Sequence, residues 1–190
     1  MADALNELLA RQKIIEVTAI YARAIDRMDE PLLRSVFHAG STHNHFYAGP
    51  SSEPGRPATD DDPGDFVRFA LGVLSTHTHT HHQLGNHIVE FESDVKARAE
   101  CYFTAYHRMR AKGDPLAGDG AFETEMDFFV GGRYIDEFAL KDDAWKIVNR
   151  IGMTDWMRIE APCAGGTEGI DPDTISKRHP DDYLYKMGAV

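Results

Sequence analysis

The chain has 190 residues, 42% of them aliphatic, aromatic or cysteine, which suits one globular domain with a sizeable core. Its 31 acidic and 20 basic residues give a net charge of −11, the wrong sign for a protein that tracks nucleic-acid phosphates. No apolar run approaches the roughly 18 residues of a membrane-spanning helix. The acidic start Met1 to Glu7 is unlike a signal peptide. Two cysteines, Cys101 and Cys163, do not make a disulfide framework, so a cytoplasmic location is expected. The unusual count is ten histidines, which neither size nor charge requires. Histidine titrates near neutrality, shuttles protons and binds metals.

A first helix is predicted over Asp3 to Met28, where Ile14, Val17, Tyr21, Ala24, Ile25 and Met28 recur at helical spacing without Gly or Pro. A short second helix follows, with Asp29 as its cap and Pro31 in its first turn. His38 to Pro50 mixes strand and turn character, and Ser51 to Gly64 reads as a loop rich in Pro, Gly and Asp. Asp65 to Leu74 is a third helix, with Phe66, Phe69, Ala70 and Val73 on one side.

Strands follow from Thr80. A strand over about His87 to Glu92 turns at Ser93-Asp94 into the clearest one, Val95 to Met109, which alternates strictly. Its inward parity reads Val95, Ala97, Ala99, Cys101, Phe103, Ala105, His107, Met109. A loop at Lys112 to Gly120 leads to a strand over about Phe122 to Leu140, with a bulge expected at Gly131-Gly132. Lys141 to Asp143 turns the chain into a last strand, about Trp145 to Met157. The expected organisation is an α+β cone domain over residues 1–160, helices packed on a highly curved, mostly antiparallel sheet, and an irregular tail over 161–190 that covers the domain or a neighbouring subunit. Such a cone encloses an apolar cavity suited to a small molecule.

Three features carry candidate chemistry. His107 shares the inward parity of a strand whose alanines leave room, as either a core histidine with one hydrogen bond or a cavity histidine. The run Thr76 to His82 contains His77, His79, His81 and His82; alternation points the first three one way and His82 the other. A His-x-His pair can hold a metal, yet no cysteine or suitably spaced carboxylate accompanies it, so no metal is expected and a polar connector is the simpler reading. Within it, His82 opens the strand and can reach the cavity mouth. Asp26 lies near the C-terminal end of the first helix, where the dipole makes a carboxylate more basic. An aspartate paired with a histidine orients the ring and stabilises the imidazolium. Tyr21 precedes Asp26 by five residues, about 140° around a helix, so spacing alone does not bring them together.

These residues, with His82-x-x-x-Asn86, Arg133 to Phe138 and Asp143 to Val148, resemble the SnoaL-like branch of the nuclear-transport-factor-2-like superfamily over about Leu5 to Arg158. The resemblance implies a cone of three N-terminal helices on a curved sheet. It is nearest to the cofactor-free lyases of that branch: scytalone dehydratase, hexachlorocyclohexane dehydrochlorinase and bile-acid 7α-dehydratase. It puts Asp26 and His82 in the place of their catalytic pair, Tyr21 at the polar residue one turn earlier, His107 at a second histidine and Arg150 at an active-site arginine. Ala105 stands where the bile-acid enzyme has a catalytic aspartate, and strict alternation puts Arg150 on the side of Lys146. The resulting expectation is a lyase that eliminates water or halide from a small apolar cyclic substrate by general acid-base catalysis, without cofactor. An isomerase or cyclase using the same base, or a ligand-binding module without turnover, are the alternatives. Tyr102, Thr104 and Tyr106 on the outer parity suggest a homodimer or homotrimer interface.

Overall fold

The computed structural model describes residues 2–44, 56–57, 65–163 and 166–188. Helix α1 (Ala2–Arg27) buries Ile14, Thr18, Tyr21, Ala24 and Ile25 along one side. It stops one residue short of the expected end because Met28 adopts a left-handed φ of 54°. The Met28 amide then donates to Ile25 O and the Asp29 amide to Ala24 O, the hydrogen-bond pattern of a Schellman ending. Asp29 at once caps α2 (Glu30–Ser35) through the Leu32 amide. Asp65 caps α3 (Phe66–Ser75) through the Arg68 amide, and its buried carboxylate also takes a 2.8 Å bond from Arg34. One ion pair therefore fixes α2 against α3.

Six strands form one sheet: β1 (Phe37–Asn44), β2 (Arg56–Pro57), β3 (His77–Ser93), β4 (Lys96–Met109), β5 (Met126–Lys141) and β6 (Ala144–Glu160). Their order is β2-β1-β6-β5-β4-β3, antiparallel throughout except that β1 runs parallel to β6. The fold is α+β, with three helices on a curved sheet. The inward parity of β4 is buried at Ala97, Ala99, Cys101, Phe103, Ala105 and His107. Most of the expected loop at Ser51 to Gly64 lies outside the described residues; Arg56–Pro57 pairs with β1. The described residues contain no helix long and apolar enough to cross a membrane.

Two departures from strict alternation matter for the site. The Thr76 to His82 run is not a connector: β3 begins at His77. Pairing slips there, with His77 opposite Met109 and His79 opposite Arg108, so one extra residue is inserted and His77 turns inward. A second slip lies in β6, where Glu137 faces Asn149 and Phe138 faces Ile147. It reverses the parity after Ile147, so Arg150 is fully buried while Lys146 is only half-buried.

The expected bend at Gly131-Gly132 is present, but the extra residue sits opposite, in β6, where Gly131 pairs with Trp156 and Gly132 with Thr154. The glycines are needed for close approach. A Cβ on Gly132 would stand 1.9 Å from Met153 O, a backbone atom, and one on Gly131 would stand 2.3 Å from the Trp156 ring. Residues 166–188 fold back on the same chain. The His179 amide donates to Arg27 O at 2.7 Å and Tyr185 donates to Asp29 at 2.9 Å. Gly132→Ala should therefore cost about 1–3 kcal/mol or more by forcing the β5–β6 pairing apart. Thermal unfolding of the variant checks this; an unchanged Tm would contradict the packing described.

Candidate active site

Asp26 lies in the last turn of α1, against the free edge of β3. Its Oδ2 accepts the His82 backbone N–H at 2.8 Å and its Oδ1 meets His82 Nδ1 at 2.7 Å. One carboxylate thus satisfies an edge-strand amide and orients the ring of the same residue. Both side chains are over 90% buried, at 9% and 7% exposure. A carboxylate can only accept, so Nδ1 carries a proton, and in the neutral ring the lone pair is on Nε2. The helix dipole was expected to make Asp26 more basic. Instead its pKa lies below the ordinary value: burial pushes it up, but the hydrogen bonds and charge of His82 outweigh burial.

The cavity lies between α1, α3 and the concave sheet face. Its enclosed space is about 80 Å³, or about 630 Å³ with the open mouth included. Ile25, Phe66, Val73, Phe103, Phe128 and Val130 make it mostly apolar, and the polar groups reach it from Tyr21, His77, His82, His107 and Tyr134. Ala105 pairs with His82 across the β3–β4 ladder, and its small side chain leaves the imidazole space. Among the described residues, no group of three or more His, Cys, Asp or Glu side chains is arranged to hold a metal ion.

His107 faces this cavity. Its ring centroid is 5.4 Å from those of both His82 and His77. Burial above all, then the nearby His82 and His77 charges, push its pKa down to about 3. Its Nδ1 is buried without a hydrogen-bond partner. A neutral imidazole of this kind can donate a hydrogen bond to a ligand oxygen but does not act as a proton reservoir.

Tyr21 lines the cavity and is 1% exposed. Its phenol pKa is pushed up to about 12 by burial, with Arg150 offsetting part of the effect. It therefore remains a hydrogen-bond donor at any ordinary pH. Arg150 faces inward but does not line the cavity. Its guanidinium is sandwiched between the Tyr21 and Tyr134 rings, 4.1 and 4.3 Å from their centroids, and pairs with buried Asp136 through two bonds of 2.7 and 2.6 Å. Of the five expected site residues, Asp26, His82, Tyr21 and His107 therefore converge, and Arg150 supports Tyr21 from behind. His77 belongs to the run expected to be a polar connector, yet it is a cavity residue, 8% exposed, with Nδ1 on Val73 O at 3.1 Å. Only the bulge brings it inward, and nothing in the alternation marks that bulge.

The neutrality of His107 has a stability consequence. Between pH 6.5 and about 3 the unfolded chain binds a proton that the folded His107 refuses, so stability falls as pH falls through that window. Replacing His107 with Phe should flatten the slope of unfolding free energy against pH by about 1.4 kcal/mol per pH unit there. Denaturant unfolding at several pH values measures it; identical slopes for both proteins would contradict the buried neutral imidazole.

The sequence model of the SnoaL-like domain matches residues 6–151. No curated protein sequence matches the chain. Among solved structures, a type 2 hexachlorocyclohexane dehydrochlorinase, LinA, aligns with a TM-score of 0.68 and 17% identity over 88% of this chain and 99% of its own. A scytalone dehydratase-like protein from Novosphingobium aromaticivorans aligns with a TM-score of 0.62 and 19% identity over 86% and 98%. The Kfla4162 protein from Kribbella flavida gives 0.62 and 20% over 78% and 92%. At these identities the likeness is one of fold.

Proposed function

The chain belongs to the SnoaL-like domain family, and from that footing we propose that it is a cofactor-independent lyase of the dehydratase or dehydrohalogenase type. Its substrate is a small apolar cyclic molecule. The observation that carries the reading is the Asp26–His82 pair, whose histidine lines the apolar cavity.

His82 Nε2 removes a proton from a substrate carbon. The C–H electron pair becomes the new double bond as the bond to the neighbouring halide or hydroxyl breaks. Asp26, ionised and held by two hydrogen bonds, stabilises the imidazolium that forms. A halide departs as the anion. A hydroxyl needs a proton to leave as water, and the His82 imidazolium supplies it. His107 and Tyr21 donate hydrogen bonds to the departing group and do not release protons, because burial holds both in their neutral forms. The apolar walls keep water from the proton-bearing carbon.

His82→Ala and Asp26→Asn should each lower kcat/KM by about 10²–10⁴-fold, with the melting transition retained. The assay is turnover of a panel of cyclic halides and alcohols followed by mass spectrometry. Full turnover by both variants would overturn the reading. The isomerase reading is favoured by one feature, Tyr21 in the cavity lining, whose neutral phenol can polarise a carbonyl. A product of unchanged mass would identify that chemistry.

The outer face of the sheet exposes Ile88, Tyr102, Ile135, Ile151, Met153 and Trp156. Apolar side chains of this number suit self-association, and a homodimer or homotrimer through this face is part of the proposal. Light scattering at micromolar concentration should give a mass two or three times that of the chain, and Tyr102→Glu should lower it. A monomer in the unaltered protein contradicts the proposal.

A further inference from the structure

On the far side of the catalytic pair from the apolar cavity lies a polar cleft of about 350 Å³. It runs between the C-terminal half of α1, the free edge of β3 and the returning tail. Arg23, Arg27, Lys177 and Arg178 line it, with His79 and His81 on the strand side. In a chain of net charge −11, four cations on one cleft are a local reversal of sign.

Neighbouring carboxylates neutralise these cations only in part. Asp26 is the only acid in the lining, and both of its oxygens are engaged by His82. Among the described residues Arg23 has no ion-pair partner. Arg178 is half-buried and spends Nη2 on the Leu74 and His77 carbonyls, at 2.8 and 2.7 Å, without meeting a carboxylate. Arg27 reaches Asp182 only at 3.5 Å, and its Nε is buried without a hydrogen-bond partner. Lys177 has a long contact of 3.6 Å with exposed Asp173. The field at the rim is felt by His79, whose pKa is lowered first by burial and then by Arg108 and Arg178, with Glu125 opposing in part.

We propose that this cleft is a binding site for a compact oxyanion, a carboxylate or a phosphate group, held chiefly by Arg23 and Arg27. These two arginines are four residues apart on α1, so they project from one helix face one turn apart. Their planar forks suit the paired oxygens of either group. The strand-edge histidines supply further donors. Because His82 lines both the cleft and the apolar cavity, a ligand in the cleft lies next to the base and its field acts on the Asp26–His82 pair. The site stands on the cleft alone, so its failure leaves the lyase reading intact, and loss of activity in His82→Ala does not bear on it.

Titration of the full chain with inorganic phosphate, and separately with benzoate, tests this by amide and arginine Nε–H NMR at constant ionic strength in chloride. The expected result is saturable shifts at Arg23, Arg27 and the amides of residues 78–81, with at least one of the two anions. Arg23→Gln and Arg27→Gln should each weaken binding about tenfold, equivalent to about 1.4 kcal/mol. Arg23 is the variant to rely on if Arg27→Gln disturbs the tail. Shifts with phosphate alone identify a phosphoryl ligand, and shifts with benzoate identify a carboxylate one. No saturable shift at the cleft with either anion, shifts confined to cavity residues, or equal affinity in Arg23→Gln and the unaltered protein would each overturn the proposal.

Discussion

The Asp26 carboxylate joins the two halves of the fold at the point where the chemistry takes place. β3 is an edge strand, and its unpaired backbone amides need partners. Asp26 supplies one to the amide of His82 and with its second oxygen fixes the ring of the same residue. Rotation of the ring would break the Nδ1 contact, and withdrawal of α1 would break both. The sharp ending of α1 at Met28, and the immediate start of α2 at Asp29, set where that carboxylate stands. The same arrangement that secures the strand edge therefore fixes the tautomer on which a base role depends.

Around this pair the protein separates charge from apolar surface. The cavity side holds neutral polar groups: His107, with its pKa near 3, and Tyr21, with its pKa near 12, both shifted chiefly by burial. A permanent cation behind Tyr21, Arg150, is screened from the cavity by the two tyrosine rings and compensated by Asp136. Breaking such a buried pair typically costs about 3–5 kcal/mol, so Arg150 is a structural commitment as well as an influence on Tyr21. On the opposite side of Asp26 the arginines of the cleft collect, with Arg23 lacking an ion-pair partner among the described residues. The catalytic pair lies at the boundary between these two environments.

Much of this was legible in the residues. Period-two alternation located β4 and its inward face, and helical spacing, with Asp29 as a cap, located the three helices. The convergence of Asp26, His82, Tyr21 and His107 followed from the family resemblance, because the spacing of Tyr21 and Asp26 did not require it. What the sequence did not reveal depends on inserted residues. The slip at His77/His79 turns His77 into the cavity, and the slip near Ile147 turns Arg150 inward past Lys146. A bulge reverses every subsequent side chain on a strand while leaving composition and alternation almost unchanged. The pKa of Asp26 was misjudged for a related reason. The helix position was visible in the sequence, whereas the hydrogen bonds and charge that together outweigh burial belong to a strand 56 residues away.

The central claim is that Asp26 holds His82 with its proton on Nδ1 and its lone pair on Nε2, facing the cavity. Nitrogen-15 chemical shifts of the His82 imidazole in the resting protein at neutral pH test it most directly. The account predicts a protonated Nδ1 and an unprotonated Nε2, with that preference lost in Asp26→Asn. An imidazole protonated on Nε2, or a tautomer unaffected by Asp26→Asn, would contradict it.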